Sequence, residues 1–337
     1  MDDRPDHRAQ IRDFLATRRA KLTPEQVGLP TSSRRRVPGL RREEVAVLAG
    51  VSTEWYVRLE KGHISGVSEE VLDAVAQALR LDQDERTYLF DLAHAARPAR
   101  RAPSRRKDVQ VPPQVQWMLD SMTMSAAFVR NGRQDLVTHN ALARALLAPV
   151  FDSPAATRHG RANIARYVFL DPGSRRFFVD WDAAAGISAA LLRAEAGRAP
   201  HDRALRDLVG ELSTLSTAFR SQWAVHDVRV RHDGSKQLWH PQVGDLEVTY
   251  QSLDLRVSNQ TVYGLTIYTA EPGSISEERL KLLAGPTAEV RQQARRRQAG
   301  DPGVDHPGGH HRLSHAGPAM NEAWSTGRKP SSTRPTT

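Results

Sequence analysis

The sequence predicts a multidomain protein that has an all-α domain of five helices, an α+β domain and a disordered C-terminal tail. Three observations lead to this prediction. Capped amphipathic helices follow one another through the first hundred residues, alternating strand patterns appear only later, and glycine, proline, serine and threonine dominate after Gly300. A chain of 337 residues is long enough for two domains. The predicted domains cover 6–96 and 114–285, with a basic, proline-rich linker over 97–113 and the tail over 300–337.

The five helices of the first domain have recognisable ends. Gly50 ends the second helix, Ser52 and Ser68 are N-caps, and Asp82 with Glu85 forms a capping box. Apolar residues recur at helical spacing between these ends, so each helix is expected to bury one face. The positions at helical spacing are Ile11, Phe14, Leu15, Arg18, Val45, Leu48, Ala49, Trp55, Tyr56, Leu59, Val71, Leu72, Val75, Leu79, Tyr88, Leu89 and Leu92.

The second domain combines strands and helices. Turn residues at Asp233-Gly234 and Val243-Gly244 divide a region of alternating apolar residues, which is typical of antiparallel strands. The predicted order is two strands at Ala126–Arg130 and Leu136–Asn140, a helix from Ala141, helices at Asp180–Gly197 and Arg203–Ala224, and about three strands between Val225 and Ala270. One mixed or antiparallel sheet is therefore expected. Because the linker offers little to bury, we expect the two domains to fold independently.

Composition excludes several classes of protein. The chain has no cysteine, which excludes disulfides, thiolate metal sites, iron–sulfur ligation and cysteine nucleophiles. It has no apolar run long enough for a membrane span and no apolar segment of a signal peptide at its start, so a cytoplasmic protein is expected. The net charge is +9 and the basic excess lies at both ends of the chain, as in many nucleic-acid-binding proteins.

We expect no enzyme and no cofactor. The motifs H-E-x-x-H, G-x-x-x-x-G-K-[ST], G-x-G-x-x-G and G-x-S-x-G are absent from the sequence. Four histidines lie in the tail, but glycine-rich flanks do not fix a coordination geometry, so no metal site is expected. These histidines are His306, His310, His311 and His315.

The stretch from Gly39 to Gly62, GLRREEVAVLAGVSTEWYVRLEKG, holds a helix, a turn and a second helix. Val51 closes the turn, and Tyr56 and Leu59 form the buried face of the second helix. This pattern resembles the helix-turn-helix of phage-repressor-type (xenobiotic-response-element-type) regulators. The pattern by itself predicts that the second helix enters the DNA major groove.

The chain over about residues 6–285 resembles the MmyB-like subfamily of these regulators. In the first domain the resemblance depends on RRRVPGLRREEVAVLAGVS, the W-Y-x-R-L-E-K-G run and SEEVLDAVAQALRLD. In the second domain it depends on VPPQVQWMLD, FLDPGSRRFF, SQWAVHDVR, HPQVGDLEVTY and YTAEPGS. It implies a helix-turn-helix joined to a PAS-like ligand-binding domain. The loop 63–67 lacks the arginines and proline usual in the family, so phosphate contacts from it are doubtful.

The second helix of the motif has an outward face suited to reading bases. Thr53, Glu54, Arg58 and Lys61 lie on this face, and Ser52 caps the helix beside it. Glu54 can accept a hydrogen bond from cytosine N4, and Arg58 can donate two to guanine O6 and N7. Alternatively, Glu54 and Arg58 form a surface ion pair at i,i+4 spacing.

Arg41 and Arg42 begin the first helix of the motif, where the helix dipole and free amides favour a phosphate. Alternatively, they form solvated charge pairs with Glu43 and Glu44. Glu60 is assigned to an internal ion pair and not to DNA. Three further candidates for DNA contact precede this helix: Arg34, Arg35 and Arg36.

The resemblance implies a small-molecule site between the sheet and its helices. The candidate ligand-binding residues are Trp223, His226, Arg229, His240, Phe128 and Tyr250. Trp223, His226 and Arg229 fall at i, i+3 and i+6, and Arg229 with a histidine can receive the carboxylate of an acyl ligand. Alternatively, these polar residues fix the junction between helix and sheet, and the aromatic residues are core.

These observations together favour a bacterial transcription regulator, associated with the nucleoid when bound, that binds a double-stranded DNA operator as a C2 homodimer. Its second domain is expected to sense a small apolar molecule, and only the resemblance implies a fatty-acid-like one. Two alternatives stay open: the second domain docks a protein partner instead of a ligand, or the chain is an enzyme with a DNA-binding appendage.

Overall fold

This computed structural model describes residues 4–30, 35, 37–96, 111–158, 160–229, 232–258 and 261–285. Five α-helices come first and an α+β domain with an antiparallel sheet follows, which confirms the predicted fold class. Residues 97–110 of the predicted linker and the whole predicted tail lie outside the described residues. The predicted domain boundaries therefore stay predictions.

The helices of the first domain begin at the predicted caps. Ser52 Oγ accepts a hydrogen bond from the Trp55 amide at 3.1 Å, and Asp82 Oδ1 accepts one from the Glu85 amide at 2.9 Å. Because such caps satisfy amides that have no partner within the helix, they fix where each helix starts. The helices are α1 (Arg4–Lys21), α2 (Arg42–Leu48), α3 (Thr53–Glu60), α4 (Glu69–Ala78) and α5 (Gln83–Ala95).

The predicted buried face of α2 is wrong at one position. Leu48 is exposed, whereas Val45, Ala46 and Ala49 are buried in the core of the first domain. Two adjacent small or branched residues and a third one turn later already fill the contact between α2 and its neighbours. Leu48 therefore lies at the edge of the buried stripe of this short helix.

The α+β domain contains a five-stranded sheet in the order β2-β1-β7-β6-β5, and every neighbouring pair is antiparallel. The strands are β1 (Ala126–Arg130), β2 (Leu136–His139), β3 (Thr157–Arg158), β4 (Arg161–Ala162), β5 (Asp233–His240), β6 (Gly244–Ser258) and β7 (Thr261–Thr269), of which β3 and β4 form a separate hairpin. The helices are α6 (Pro113–Ser121), α7 (Ala141–Leu146), α8 (Ala148–Phe151), α9 (Ile164–Leu170), α10 (Ser174–Phe177), α11 (Trp181–Arg198), α12 (Arg203–Leu215) and α13 (Thr217–Ala224). Residues 275–285 are also helical.

Two predicted details of this domain are wrong. Asp233-Gly234 is the start of β5 and not a turn, because Gly234 pairs with Tyr250 across the sheet. The helix predicted over Arg203–Ala224 is two helices, since Ser216 is extended and its Oγ caps α13 by accepting from the Phe219 amide at 3.1 Å.

The two domains pack against each other, which the expectation of independent folding did not include. Val228, from the segment between α13 and β5, is 1% exposed within the core of the first domain. Arg18 of α1 is buried, forms an ion pair with Glu85 at 2.9 Å, and donates a hydrogen bond to the His226 carbonyl at 2.5 Å. α11 lies so close to α5 that a Cβ on Gly197 would approach the ring of Tyr88 to 2.4 Å. We call this contact region the junction.

Candidate DNA interface and ligand cavity

α2 and α3 form the predicted helix-turn-helix. Gly50 has a φ of 66°, a left-handed conformation that glycine adopts without strain, and it reverses the chain between the two helices. Val45 and Ala46 of α2 and Tyr56 and Leu59 of α3 are buried in one core. This packing leaves the opposite face of α3 at the surface.

The outward face of α3 carries the predicted residues. Thr53, Glu54, Arg58 and Lys61 are all exposed. No ion pair joins Glu54 to Arg58, although both side chains are described, so the alternative of a surface pair is not seen. Ser52 is also exposed, and because its Oγ accepts the capping hydrogen bond, its hydroxyl proton is left to donate outward.

Arg42 lies at the first position of α2 and is held by Glu60. Its Nε and a terminal nitrogen donate to Glu60 Oε1 at 3.0 and 2.8 Å, while 53% of its side chain stays exposed. Glu60 is buried and also accepts two hydrogen bonds from Arg19, which confirms the internal ion pair predicted for it. Burial acts to raise the pKa of Glu60, but the hydrogen bonds from both arginines outweigh it and hold the pKa below its ordinary value. Arg42 is thus a positioned and half-exposed cation at a helix N-terminus.

Arg41 and Arg35 have different surroundings. The Arg41 side chain forms an exposed pair with Glu43 at 3.3 Å, which is part of the alternative considered for this helix start. Arg35 is mostly buried and donates to Glu44 at 2.5 and 2.8 Å and to the Gly39 carbonyl at 2.8 Å. Hydrogen bonds from Arg35 lower the pKa of Glu44 to about 2. The Arg35 guanidinium is therefore already engaged, and Arg34 and Arg36 lie outside the described residues.

The six candidate ligand-binding residues do not form one cluster. His240 is fully buried, its Nε2 lies 3.1 Å from the Ala145 carbonyl, and its Nδ1 accepts from the Gln242 amide at 3.3 Å. Arg229 is exposed beside Asp227 and Asp82. These contacts agree with the alternative that the polar residues stabilise the connection between helix and sheet.

Trp223, His226 and Arg229 do not share one helix face, because α13 ends before His226. Positions i, i+3 and i+6 share a face only if α13 continues, but it ends at Ala224. His226 then adopts a φ of 53°, which turns the chain away from the helix axis. As a result, Trp223 and His226 line a cleft at the junction. Phe128 and Tyr250 line a different cavity, which shares no residue with this cleft.

Phe128 and Tyr250 line a cavity of about 60 Å³ between the inner face of the sheet and helices α9 and α11, which we call the core cavity. Two cations, Arg130 and Lys236, reach it, whereas its described lining includes no aspartate or glutamate. The Lys236 ammonium lies 4.9 Å from the centre of the Tyr250 ring. The core cavity therefore has an aromatic wall and an excess of positive charge.

The Arg130 guanidinium has space because residue 264 is a glycine. A Cβ on Gly264 would lie 3.2 Å from Arg130 Cζ. Burial lowers the pKa of Arg130, and no described residue forms an ion pair with it. Sequence reasoning missed Arg130 and Lys236, although Lys236 shares the strand parity of the buried Leu238 and therefore points to the same face.

Two further properties bear on the class of protein. The part of the chain that the structure describes has no group of three or more histidine, aspartate or glutamate side chains arranged to hold a metal ion. Among the same residues, no helix is both long and apolar enough to cross a membrane.

Comparison with known proteins adds two matches. Residues 10–89 match a family model described as a helix-turn-helix domain. Residues 111–283 match a family model described as the MmyB-like transcription regulator ligand binding domain. No curated protein matches the chain. The first match contains α2 and α3, and the second contains the core cavity.

Proposed function

Since the chain belongs to the MmyB-like transcription regulators, we propose that it binds operator DNA through α3 and that a small apolar acid in the core cavity changes this binding. The main support for the proposal is that α3 presents an exposed polar face, formed by Thr53, Glu54, Arg58 and Lys61. All four side chains are exposed, and the charges of Glu54 and Arg58 are not used on each other. Such a face can form direct hydrogen bonds to base edges.

The protein acts as a homodimer on a pseudo-palindromic site in this proposal. One five-helix module buries too little surface on DNA for tight specific binding, so two modules related by a twofold axis are needed. Ser52 and Arg42 contact phosphates on either side of the base-reading residues and fix the register of α3. The protein is cytoplasmic and bacterial, and it associates with the nucleoid when bound.

The lining of the core cavity supports an acidic ligand with an apolar body. The described lining has no carboxylate beside Arg130 and Lys236, and a ligand carboxylate would form ion pairs with both cations. Phe128, Tyr250 and Tyr268 would contact the apolar part of the ligand. The cavity is smaller than the roughly 300 Å³ of ordinary ligand pockets, so it must widen on binding. A fatty-acid-like molecule meets these requirements.

A second domain that docks a protein partner is less well supported. That alternative requires aromatic side chains exposed on one face of the domain. Of the aromatic residues considered for this domain, only Trp117 is exposed, and the others are buried or half-buried. Those residues are Trp117, Phe128, Phe177, Phe178, Trp181, Trp223, Trp239, Tyr250 and Tyr263.

Selection from random duplex DNA followed by sequencing tests the proposed DNA binding. The full chain should enrich one motif with twofold symmetry, and enrichment of no motif would refute sequence-specific binding. Native mass spectrometry of freshly purified protein should show a dimer with a bound organic acid. The variant with Arg130→Met and Lys236→Met should lose this acid but still enrich the same DNA motif. A bound molecule without an acidic group, or one retained by this variant, would refute the ligand assignment.

A further inference from the structure

A second and larger cavity lies at the junction, between α1 of the first domain and α11, α12 and α13 of the second. It has a volume of about 330 Å³, within the range of small-molecule pockets, and we call it the junction cleft. It shares no lining residue with the core cavity. Any molecule held there touches both domains at once.

The junction cleft contains two buried polar atoms that the protein leaves without a hydrogen bond. Gln10 Oε1 and His226 Nδ1 are both buried, and neither has a partner among the described residues. Buried polar groups are nearly always hydrogen-bonded, so each orphaned atom calls for an explanation. Burial lowers the pKa of His226 to about 4, and the nearby Arg193, Arg18 and Lys21 add to this effect. The imidazole is therefore neutral near pH 7.

The charged side chains of the junction cleft are already engaged. Asp13 accepts a hydrogen bond from Arg12 at 2.8 Å. Arg193 donates to the Trp223 carbonyl and stacks on the Trp223 ring at 4.0 Å, and Arg206 also has a partner. Gln10 Oε1 and His226 Nδ1, both uncharged, are thus the buried lining atoms to which the described residues give no hydrogen bond.

The rest of the wall is apolar and open. Trp223 stacks on Phe219 with 5.3 Å between ring centres, which holds the indole in one orientation. Ala9, Ala196 and Gly210 have no large side chain to fill the space, and a Cβ on Gly210 would meet nothing within 4 Å. A rigid aromatic group beside small residues favours a flat apolar molecule.

We propose that the junction cleft is a second ligand site, which binds a small uncharged aromatic molecule that carries a carboxamide or a lactam. The amide N–H donates to Gln10 Oε1, and the amide oxygen accepts from His226 Nδ1. The ring lies against the apolar wall beside Trp223. This site is independent of the proposed acid in the core cavity, from which it differs in both charge and lining.

Binding in the junction cleft connects the two domains. Gln10 belongs to α1 of the DNA-binding domain, whereas His226 begins the segment that carries Val228 into the core of that domain. The His226 carbonyl also accepts the hydrogen bond from Arg18. The occupant therefore adds contacts across the junction and holds the DNA-binding domain against the sensor domain.

Ligand-observed NMR on the full chain tests this site, with benzamide as the probe. Saturation transfer to benzamide should be seen, whereas benzoate and benzylamine, which have similar shape but carry a charge, should bind at least several-fold more weakly. Gln10→Ala removes one acceptor and should weaken benzamide about two- to tenfold, the usual range for one hydrogen bond. Gly210→Phe should fill the cleft and abolish the effect.

The control variants are matched to these changes. Gln77→Ala makes the same substitution on the exposed face of α4, and Asp207→Asn changes an exposed residue of α12 outside the cleft. Both should bind benzamide like the wild type, as should Arg130→Met in the core cavity. If Gly210→Phe does not fold, Gln10→Ala decides the test.

Three results would overturn the proposal. If benzamide does not bind at millimolar concentration, the cleft holds only water and the proposal is wrong. Benzamide that binds equally to Gln10→Ala would show adventitious contact elsewhere. Benzoate that binds as well as benzamide would refute the uncharged class of ligand.

Discussion

The five-helix domain has two faces that use their charges in opposite ways. On the face of α3, Glu54 and Arg58 are exposed and not paired with each other. On the face of α1 and α5, Arg18 is 4% exposed and shares its guanidinium between Glu85 and the His226 carbonyl. Charges that are free at the surface can meet an external polyanion, whereas buried and paired charges fix a contact within the chain.

This difference separates two tasks within one small domain. The α3 face contributes little to folding and can change with the operator. The junction face contributes to folding, because Val228 lies within the core of the first domain and the His226 carbonyl accepts a hydrogen bond from Arg18. In the proposed function, this face is where a signal from the second domain reaches the first. Substitutions should therefore have large effects on stability at the junction and large effects on DNA binding at α3.

The largest effect is expected for Arg18→Met. This variant leaves the Glu85 carboxylate buried without its partner, which should lower the free energy of unfolding by about 3–5 kcal/mol. Urea unfolding followed by circular dichroism measures the change. Arg12→Met is the control, because Arg12 pairs with Asp13 at the surface and its loss should change the free energy of unfolding far less. The double variant Arg18→Met with Glu85→Leu should recover part of the loss, because Glu85→Leu also removes the capping hydrogen bond that Glu85 Oε2 accepts from the Asp82 amide at 3.1 Å. Equal losses for Arg18→Met and Arg12→Met would show that the buried pair contributes no more than a surface pair.

A smaller loss is expected for Val228→Ala. Two methyl groups leave the core of the first domain, which should cost about 2 kcal/mol through lost burial and a small cavity. The exposed Val225 nearby gives the control Val225→Ala, which should change stability by about 0.5 kcal/mol or less. The same unfolding experiment compares them, and a similar result for both variants would show that Val228 does not join the domains in solution.

A further effect concerns pH. His226 has a pKa lowered from 6.5 to about 4, first by burial and then by nearby cations. The unfolded chain therefore binds more protons than the folded one between these values, so stability falls as the pH drops from 6.5 to 4. His226→Asn should remove this part of the pH dependence, and asparagine tolerates the left-handed backbone at this position. Melting temperatures of both proteins across this pH range check the prediction, which fails if their difference stays constant.

The sequence predicted the α3 face well because its determinants are local. Ser52 caps α3 by accepting a hydrogen bond from the amide of Trp55, three residues later, and Gly50 makes the turn before Ser52. Once the helix limits are known, helical periodicity places Arg58 outward without any knowledge of the rest of the chain. The limits of α11 and the first two strands of the sheet were predictable for the same reason.

The junction and the core cavity were not predictable because their determinants are distant in sequence. Arg18 and the carbonyl that it binds are 208 positions apart, and no local pattern connects them. The predicted ligand cluster failed through one backbone conformation, the left-handed His226 after the end of α13. Lys236 could have been found from strand parity, but the space for Arg130 depends on Gly264 in a different strand.

Base reading by α3 is best tested by comparing Arg58→Ala with Arg42→Ala in binding to selected operator DNA and to a scrambled duplex, at several salt concentrations. If Arg58 reads a base, Arg58→Ala should cost about 1–3 kcal/mol on the operator and far less on the scrambled duplex. If Arg42 contacts a phosphate, Arg42→Ala should weaken binding to both duplexes alike and lower the salt slope by about one. Arg19 still pairs with Glu60 in the latter variant, so the domain should stay folded. Equal losses on both duplexes for Arg58→Ala would contradict base reading by α3.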